Sequence, residues 1–185
     1  RKKIRDEIGI SDALVIGNVG KLYAPKNHVF LLDVFHYIVS KNRNALLLLV
    51  GGGELENSLK KKAYELGVDD KVLFLGMRDD VSDIVQAFDV FVFPSTYEGL
   101  GLAVIEAQAS GLECIVSDRV PIETKVTDNI KYLSLDESPV IWADAILNLN
   151  VRNREELSKQ AMETIKASGY DINFEAFKLE TIYRS

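Results

Sequence analysis

Cysteine is nearly absent from this chain. The single one, Cys114, lies in an apolar run, so an internal disulfide is excluded and the thiol reads as a core residue rather than a nucleophile or metal ligand. That usage fits a reducing compartment. Basic residues do not dominate either: 22 Lys and Arg face 28 Asp and Glu, a net charge of −6. No general field draws nucleic acid or an anionic membrane, and an anionic ligand has to be held by local groups. Long apolar runs are missing as well. Leu46 to Val50 is far too short to span a bilayer, and no signal-peptide pattern opens the chain. The opening Arg1-Lys2-Lys3-Ile4-Arg5-Asp6-Glu7 has no methionine and reads as a helix continued from a longer protein. The two histidines, His28 and His36, have no cysteine or carboxylate partner at metal-ligand spacing and read as surface or helix-cap residues. Several signatures are also absent: G-x-G-x-x-G after Val50, the G-x-x-x-x-G-K-[ST] phosphate loop, G-x-S-x-G around Ser95, and Asp-x-Asp at a strand end. Asp69-Asp70 and Asp79-Asp80 fit turns and caps, with Asp80 capping a short helix over Val81 to Ala87.

What is present is an ordinary globular balance, 47% hydrophobic and 27% charged over 185 residues, enough for one domain with a substantial core. Short apolar runs alternate with helical periodicity. Strands are expected at Leu14 to Val19, Ala45 to Val50, Lys71 to Leu75, Asp89 to Phe93, Cys114 to Ser117 and Lys131 to Ser134. Helices are expected after Asn27, through Leu55 to Leu66, from Leu102 to Gly111, over Pro139 to Leu149 and Glu155 to Ala167, with a last one over Asn173 to Tyr183. Val120-Pro121 opens a short turn, and Trp142, at helical spacing with Ile146, reads as packing. The alternation predicts an α/β fold, a doubly wound Rossmann-like parallel sheet flanked by helices.

The chain is organised around Phe91 to Gly111, FVFPSTYEGLGLAVIEAQASG. Pro94 stops a strand, Gly99 and Gly101 bracket Leu100, and a helix starts at Leu102. Such a corner aims backbone N–H groups and a positive dipole end at an anion. Glu98 and Glu106 stand at different heights over it, suited to gripping separate hydroxyl-bearing parts of a long ligand. They also fit a helix cap and a solvated helix residue. Lys21 and Lys26 flank the loop that begins at Gly20, after the first strand, as phosphate ligands or as solvated lysines. Gly51-Gly52-Gly53 lets a backbone approach closely or simply makes a turn. Met77-Arg78 ends the third strand, where an arginine can stack on a planar ring or lie idle in a loop.

EGLGLAVIEAQASG resembles the E-x7-E signature of the retaining, GT-B-fold glycosyltransferases of family 4, commonly EGFGLVLLEAMAAG. The likeness runs from about Val15 to about Leu149 and is strongest toward the bacterial capsular and exopolysaccharide branch. It implies that residues 1–185 form the C-terminal, nucleotide-sugar-binding half of an enzyme whose N-terminal acceptor domain lies outside this chain. The donor is then a nucleotide-diphosphate sugar, a UDP-sugar for preference, bound by Gly20, Lys21, Lys26, Met77, Arg78, Glu98, Gly99, Leu100, Gly101, Leu102 and Glu106. Lys21, Lys26 and Glu98 carry the catalytic roles. Lys21 and Lys26 offset charge on the leaving diphosphate, Glu98 accepts from the sugar hydroxyls and Glu106 from the ribose. The family's loop usually reads GR…KG; here Lys21 and Lys26-Asn27 depart from it, keeping charge without the bidentate fork. No cofactor or metal is required, because basic side chains and helix dipoles neutralise the diphosphate. The acceptor, a saccharide or lipid-linked saccharide, is met through the missing domain, as is any membrane contact of this cytoplasmic enzyme; nucleic acid is no partner. A hexosyltransferase is implied, and this half by itself would transfer nothing. A sugar-nucleotide epimerase on the same fold and a non-catalytic nucleotide-sugar-binding module are the alternatives.

Overall fold

A computed structural model describes residues 1–10, 12–149, 154–170, 176, 180, 181, 183 and 184. Six strands, β1 (Leu14–Val19), β2 (Ala45–Val50), β3 (Val72–Gly76), β4 (Val90–Phe93), β5 (Glu113–Ser117) and β6 (Ile130–Leu133), form one sheet. Its order is β3-β2-β1-β4-β5-β6, and all five strand pairings are parallel. The chain moves outward from β1 to β3, returns to the centre at β4 and moves outward the other way. The reversal lies between β1 and β4, the place where a doubly wound sheet opens a crevice beyond its strand ends.

The helices are α1 (Lys2–Glu7), α2 (His28–Lys41), α3 (Glu56–Glu65), α4 (Val81–Val85), α5 (Leu102–Ala109), α6 (Pro139–Leu147) and α7 (Arg154–Ile165). The expected last helix, Asn173 to Tyr183, falls largely outside the described residues. Strands covered on both faces read as unbroken apolar runs, and β4, VFVF, is buried throughout. Alternate residues feed two cores. Ile16, Leu47, Leu49, Val92 and Ile115 meet Phe35 of α2, Leu59 of α3 and Trp142 of α6. Val15, Leu48, Val50, Phe91, Phe93 and Val116 face the other way, toward Ile84 of α4 and Val104 and Ala107 of α5. Trp142 is packing, as its spacing predicts. Its indole N–H donates to Ser134 O at 3.0 Å, and its ring meets Phe30 edge-on at 5.3 Å.

Two polar clusters lock the N-terminal edge of the sheet. Asp89 accepts from Val15 N and from Arg5, whose guanidinium also reaches Ala13 O and Ala87 O, and it pairs with Arg1. Arg154, at the start of α7, donates to the carbonyls of Val85, Gln86, Phe88 and Ser110. Burial brings its pKa down to about 10. A side chain on Gly111 would meet Arg154 O at 2.5 Å, so glycine there lets α7 close on the end of α5. Asp80 precedes α4 but does not cap it: its oxygens take the Arg78 fork instead, at 2.7 and 2.8 Å. A guanidinium two residues away offers two charge-assisted bonds, where a cap offers one bond to a neutral N–H.

Candidate functional site

The reversal between β1 and β4 brings the loop after each strand together. From β1 the chain passes through Gly20 and Lys21 into a tight turn, Ala24–Lys26, and then Asn27 in the left-handed region at φ 54° before α2 begins. From β4 it passes through Pro94 to Glu98 and the glycine corner. Thr96 N donates to Pro25 O at 2.8 Å and ties the two loops directly. One step further on, the Lys26 ammonium lies 2.5 Å from Glu98 Oε1 and 4.5 Å from the centre of the Phe93 ring. Both charged side chains are nearly enclosed, 12% and 10% exposed.

Beneath this pair is a residue that sequence reasoning assigned to the surface. His28 opens α2 and is buried, 2% exposed. Asn18 turns its amide N–H to Val92 O at 2.8 Å, so its Oδ1 faces His28 Nε2 at 3.0 Å and that nitrogen carries the proton. Burial, with the nearby Lys26 charge adding to it, lowers the His28 pKa to about 4 and keeps the ring neutral. The signal was available: His28 stands three, four and seven residues before Leu31, Leu32 and Phe35, on the buried stripe of α2. His36 is exposed, as expected, with Nδ1 2.9 Å from Leu66 O.

The three glycines after β2 serve the neighbouring loop. Gly20 N donates to Val50 O and Leu22 N to Gly52 O, laying the β1 loop across them. A Cβ on Gly51 would meet Gly20 O at 2.1 Å, and one on Gly53 would meet Leu22 O at 2.4 Å. The run therefore sets the height of the Lys21–Lys26 loop. Gly101 adopts φ 75° and opens α5 with no side-chain cap, leaving first-turn N–H groups without intrahelical partners. Thr124 Oγ1 donates to Leu100 O at 2.6 Å and holds the corner from outside; Gln108, buried in α5, fixes the Thr124–Thr127 loop in turn. Gln108 stands in the motif, but its partners in the Thr124–Thr127 loop lie outside it and are not marked by it.

Of the residues singled out from sequence, Lys26, Glu98 and Gly20 meet. The Lys26 stem runs close to Gly20, where a Cβ would stand 3.2 Å from Lys26 Cε. Lys21 is exposed, and its ammonium has no salt-bridge or hydrogen-bond partner among the described residues; only its carbonyl is engaged, by Tyr23 N at 2.9 Å. Met77 is 88% exposed beside Gly52, and Arg78 is held by Asp80 rather than presented to a ring. Gly99 and Leu102 are exposed at the corner. Glu106 does not join Glu98: it is exposed on α5, over a groove between α5 and α7 lined by Leu102, Met162 and Tyr170. Cys114 is buried, and burial pushes its thiol well above the ordinary range. No group of three His, Cys, Asp or Glu side chains among the described residues is placed to hold a metal ion, and no described helix is long and apolar enough to cross a membrane.

This architecture has counterparts. Anabaena HepE, crystallised with UDP and glucose, is a structural neighbour with a TM-score of 0.82 at 19% identity, covering 98% of this chain and 51% of that one. The C-terminal domain of LpcC from Francisella tularensis superposes with a TM-score of 0.76 at 21% identity, over 93% of each chain. Both share the fold, that of half a GT-B glycosyltransferase. In sequence, the putative glycosyltransferase EpsF of Bacillus subtilis is 34% identical over 177 residues, 94% of this chain and 45% of EpsF. The chain thus spans under half the length of the curated relatives it matches. The model of the family described as glycosyl transferases group 1 matches residues 1–166, nearly the whole of the described fold. With the sheet order, the strand reversal and the E-x7-E corner all in agreement with that match, the chain belongs to the group 1 glycosyl transferases.

Proposed function

We propose that this chain holds the nucleoside diphosphate sugar donor of a retaining hexosyltransferase that extends a bacterial surface polysaccharide. The observation that carries the reading is the enclosed Lys26–Glu98 pair at the strand reversal, beside an uncapped helix N-terminus. Lys21, Lys26 and the N–H groups at Gly101 and Leu102 take the diphosphate, offsetting charge as the sugar departs. Glu98 accepts hydrogen bonds from the sugar hydroxyls and Glu106 from the ribose. The loop of Met77 and Arg78 receives the base, through its main chain and the exposed Met77 side chain. These groups neutralise the leaving diphosphate without a metal. The resemblance of the E-x7-E segment to the capsular and exopolysaccharide branch motivates the polysaccharide assignment, and the HepE complex with UDP and glucose supports a UDP-sugar.

The acceptor, a saccharide or lipid-linked saccharide, is then held by an N-terminal domain outside this chain, in a cytoplasmic enzyme that meets the membrane only through that domain. Without it the chain binds donor and transfers nothing, because positioning both reactants contributes roughly 7–11 kcal/mol to the barrier reduction. Calorimetry with UDP- and GDP-sugars beside a transfer assay on the same sample tests both halves. Binding without transfer is expected. Transfer by this chain alone would misplace the acceptor site, and absence of binding to every nucleotide would remove the donor reading.

A further inference from the structure

The structure holds a cation and an anion in contact at a place where the proposed donor needs both. Lys26 Nζ and Glu98 Oε1 are 2.5 Å apart, each nearly enclosed, with Phe93 beneath the ammonium. We propose that Glu98 is an internal anion on Lys26, released to the diphosphate only in exchange for donor-sugar hydroxyls. On this view Glu98 selects the nucleotide sugar over the bare nucleoside diphosphate. The inference rests on the donor-site reading above.

Charge and hydrogen bonding both require the exchange. A phosphate oxygen arriving at Lys26 meets the Glu98 carboxylate on the same ammonium, and like charges at that separation repel. Glu98 must turn away, and an enclosed carboxylate without a donor is costly. A sugar brings hydroxyl donors that replace the ammonium; a bare diphosphate brings only acceptors. Lys26 has a second contact that Glu98 does not share: its ammonium lies over the Phe93 ring, 4.5 Å from the centre, and that contact holds it in place while Glu98 turns. Lys21, exposed and with its ammonium in no salt bridge or hydrogen bond among the described residues, takes first contact with the diphosphate without displacing any anion. Once the sugar has left, Glu98 returns to Lys26 and competes with the product diphosphate.

Calorimetry of the whole chain with inorganic pyrophosphate, UDP, uridine and a UDP-sugar tests this. Glu98→Gln keeps the shape, removes the competing charge and is expected to tighten pyrophosphate and UDP binding by about three- to tenfold. Uridine affinity should not change, and the preference for the UDP-sugar over UDP should shrink. Two controls separate exchange from a general loss of negative charge. Glu106→Gln removes the same charge away from Lys26 and should give pyrophosphate no comparable gain. In a Lys26→Met background, Glu98→Gln should give none either. An unchanged or weaker pyrophosphate affinity in Glu98→Gln, an equal gain in Glu106→Gln, or a gain that survives Lys26→Met would overturn the exchange while leaving the donor site standing. A folded wild-type chain that binds neither pyrophosphate nor UDP would instead bring down the donor-site reading, and the exchange with it.

Discussion

Asn18 of β1 and His28 of α2 are joined side chain to side chain at 3.0 Å, both sealed from solvent beneath the Lys26–Glu98 pair. Through the Asn18 bond to Val92 O, the link fastens the start of α2 to both strands at the sheet reversal. A neutral imidazole is thereby built in within reach of the Lys26 charge.

The first prediction is a pH dependence of stability. The His28 pKa falls from 6.5 to about 4 on folding. The unfolded chain therefore binds more protons between those values, and the contribution is complete above pH 6.5 and lost as pH falls toward 4. On the order of 2 kcal/mol should disappear between pH 7.5 and pH 5. Urea melts at the two pH values should show this loss in the wild type and less of it in His28→Gln. Identical losses would assign the pH dependence to other groups.

The second concerns Gly17 in β1. A Cβ there would fall 1.9 Å from the Phe88 ring, itself fully buried. Gly17→Ala should cost about 1–3 kcal/mol by overpacking, and Phe88→Leu in the same chain should recover part of that cost. A thermal-melt cycle over the four variants reads the coupling; simple additivity would mean the ring can step aside.

The third separates two adjacent glycines. At Gly53 a methyl group meets the Leu22 carbonyl at 2.4 Å, whereas at Gly52 it meets only the flexible Met77 side chain at 3.3 Å. Gly53→Ala should cost more than about 1 kcal/mol and weaken nucleoside diphosphate binding by lifting the Lys21–Lys26 loop, while Gly52→Ala should be nearly neutral. Equal tolerance at both positions would dissociate loop height from binding.

The fourth divides the ligand between cationic and acidic groups. Lys21→Ala should reduce UDP affinity far more than uridine affinity, and Lys21→Arg should preserve or improve it. Glu106→Gln should weaken UDP and UDP-sugar alike, by on the order of 1.5–3 kcal/mol for a lost charged hydrogen bond. Calorimetry on these variants decides. A Lys21→Ala chain with undiminished UDP affinity would remove Lys21 from the phosphate loop.

The parallel sheet was legible because its strands are buried on both faces and so read as unbroken apolar runs, punctuated by glycines and prolines. The glycine corner was legible because φ 75° at Gly101 leaves few residue choices. The sequence frame also put Lys26 and Glu98 at one edge of the sheet, but their direct contact depends on the Thr96–Pro25 tie between loops, which no periodicity encodes. His28 was misassigned because a histidine ahead of a helix serves equally well as a cap; only the Asn18 partner, ten residues earlier, makes its burial affordable. Asp80 was read as a cap because the pull of Arg78 appears only when both side chains are placed.

Arg154 sets where the chain can be shortened. Every residue assigned to the donor lies before Gly111, so a trimmed version ending at Leu149 would keep them all. It would also lose the one guanidinium that serves the Val85, Gln86, Phe88 and Ser110 carbonyls. Four backbone acceptors at the ends of α4 and α5 would then have to find other donors. Lysine, with three donors on a single nitrogen, cannot reach all four at once. Trimming short of α7 therefore strips the clamp on the ends of α4 and α5, at the edge of the sheet farthest from its chemistry.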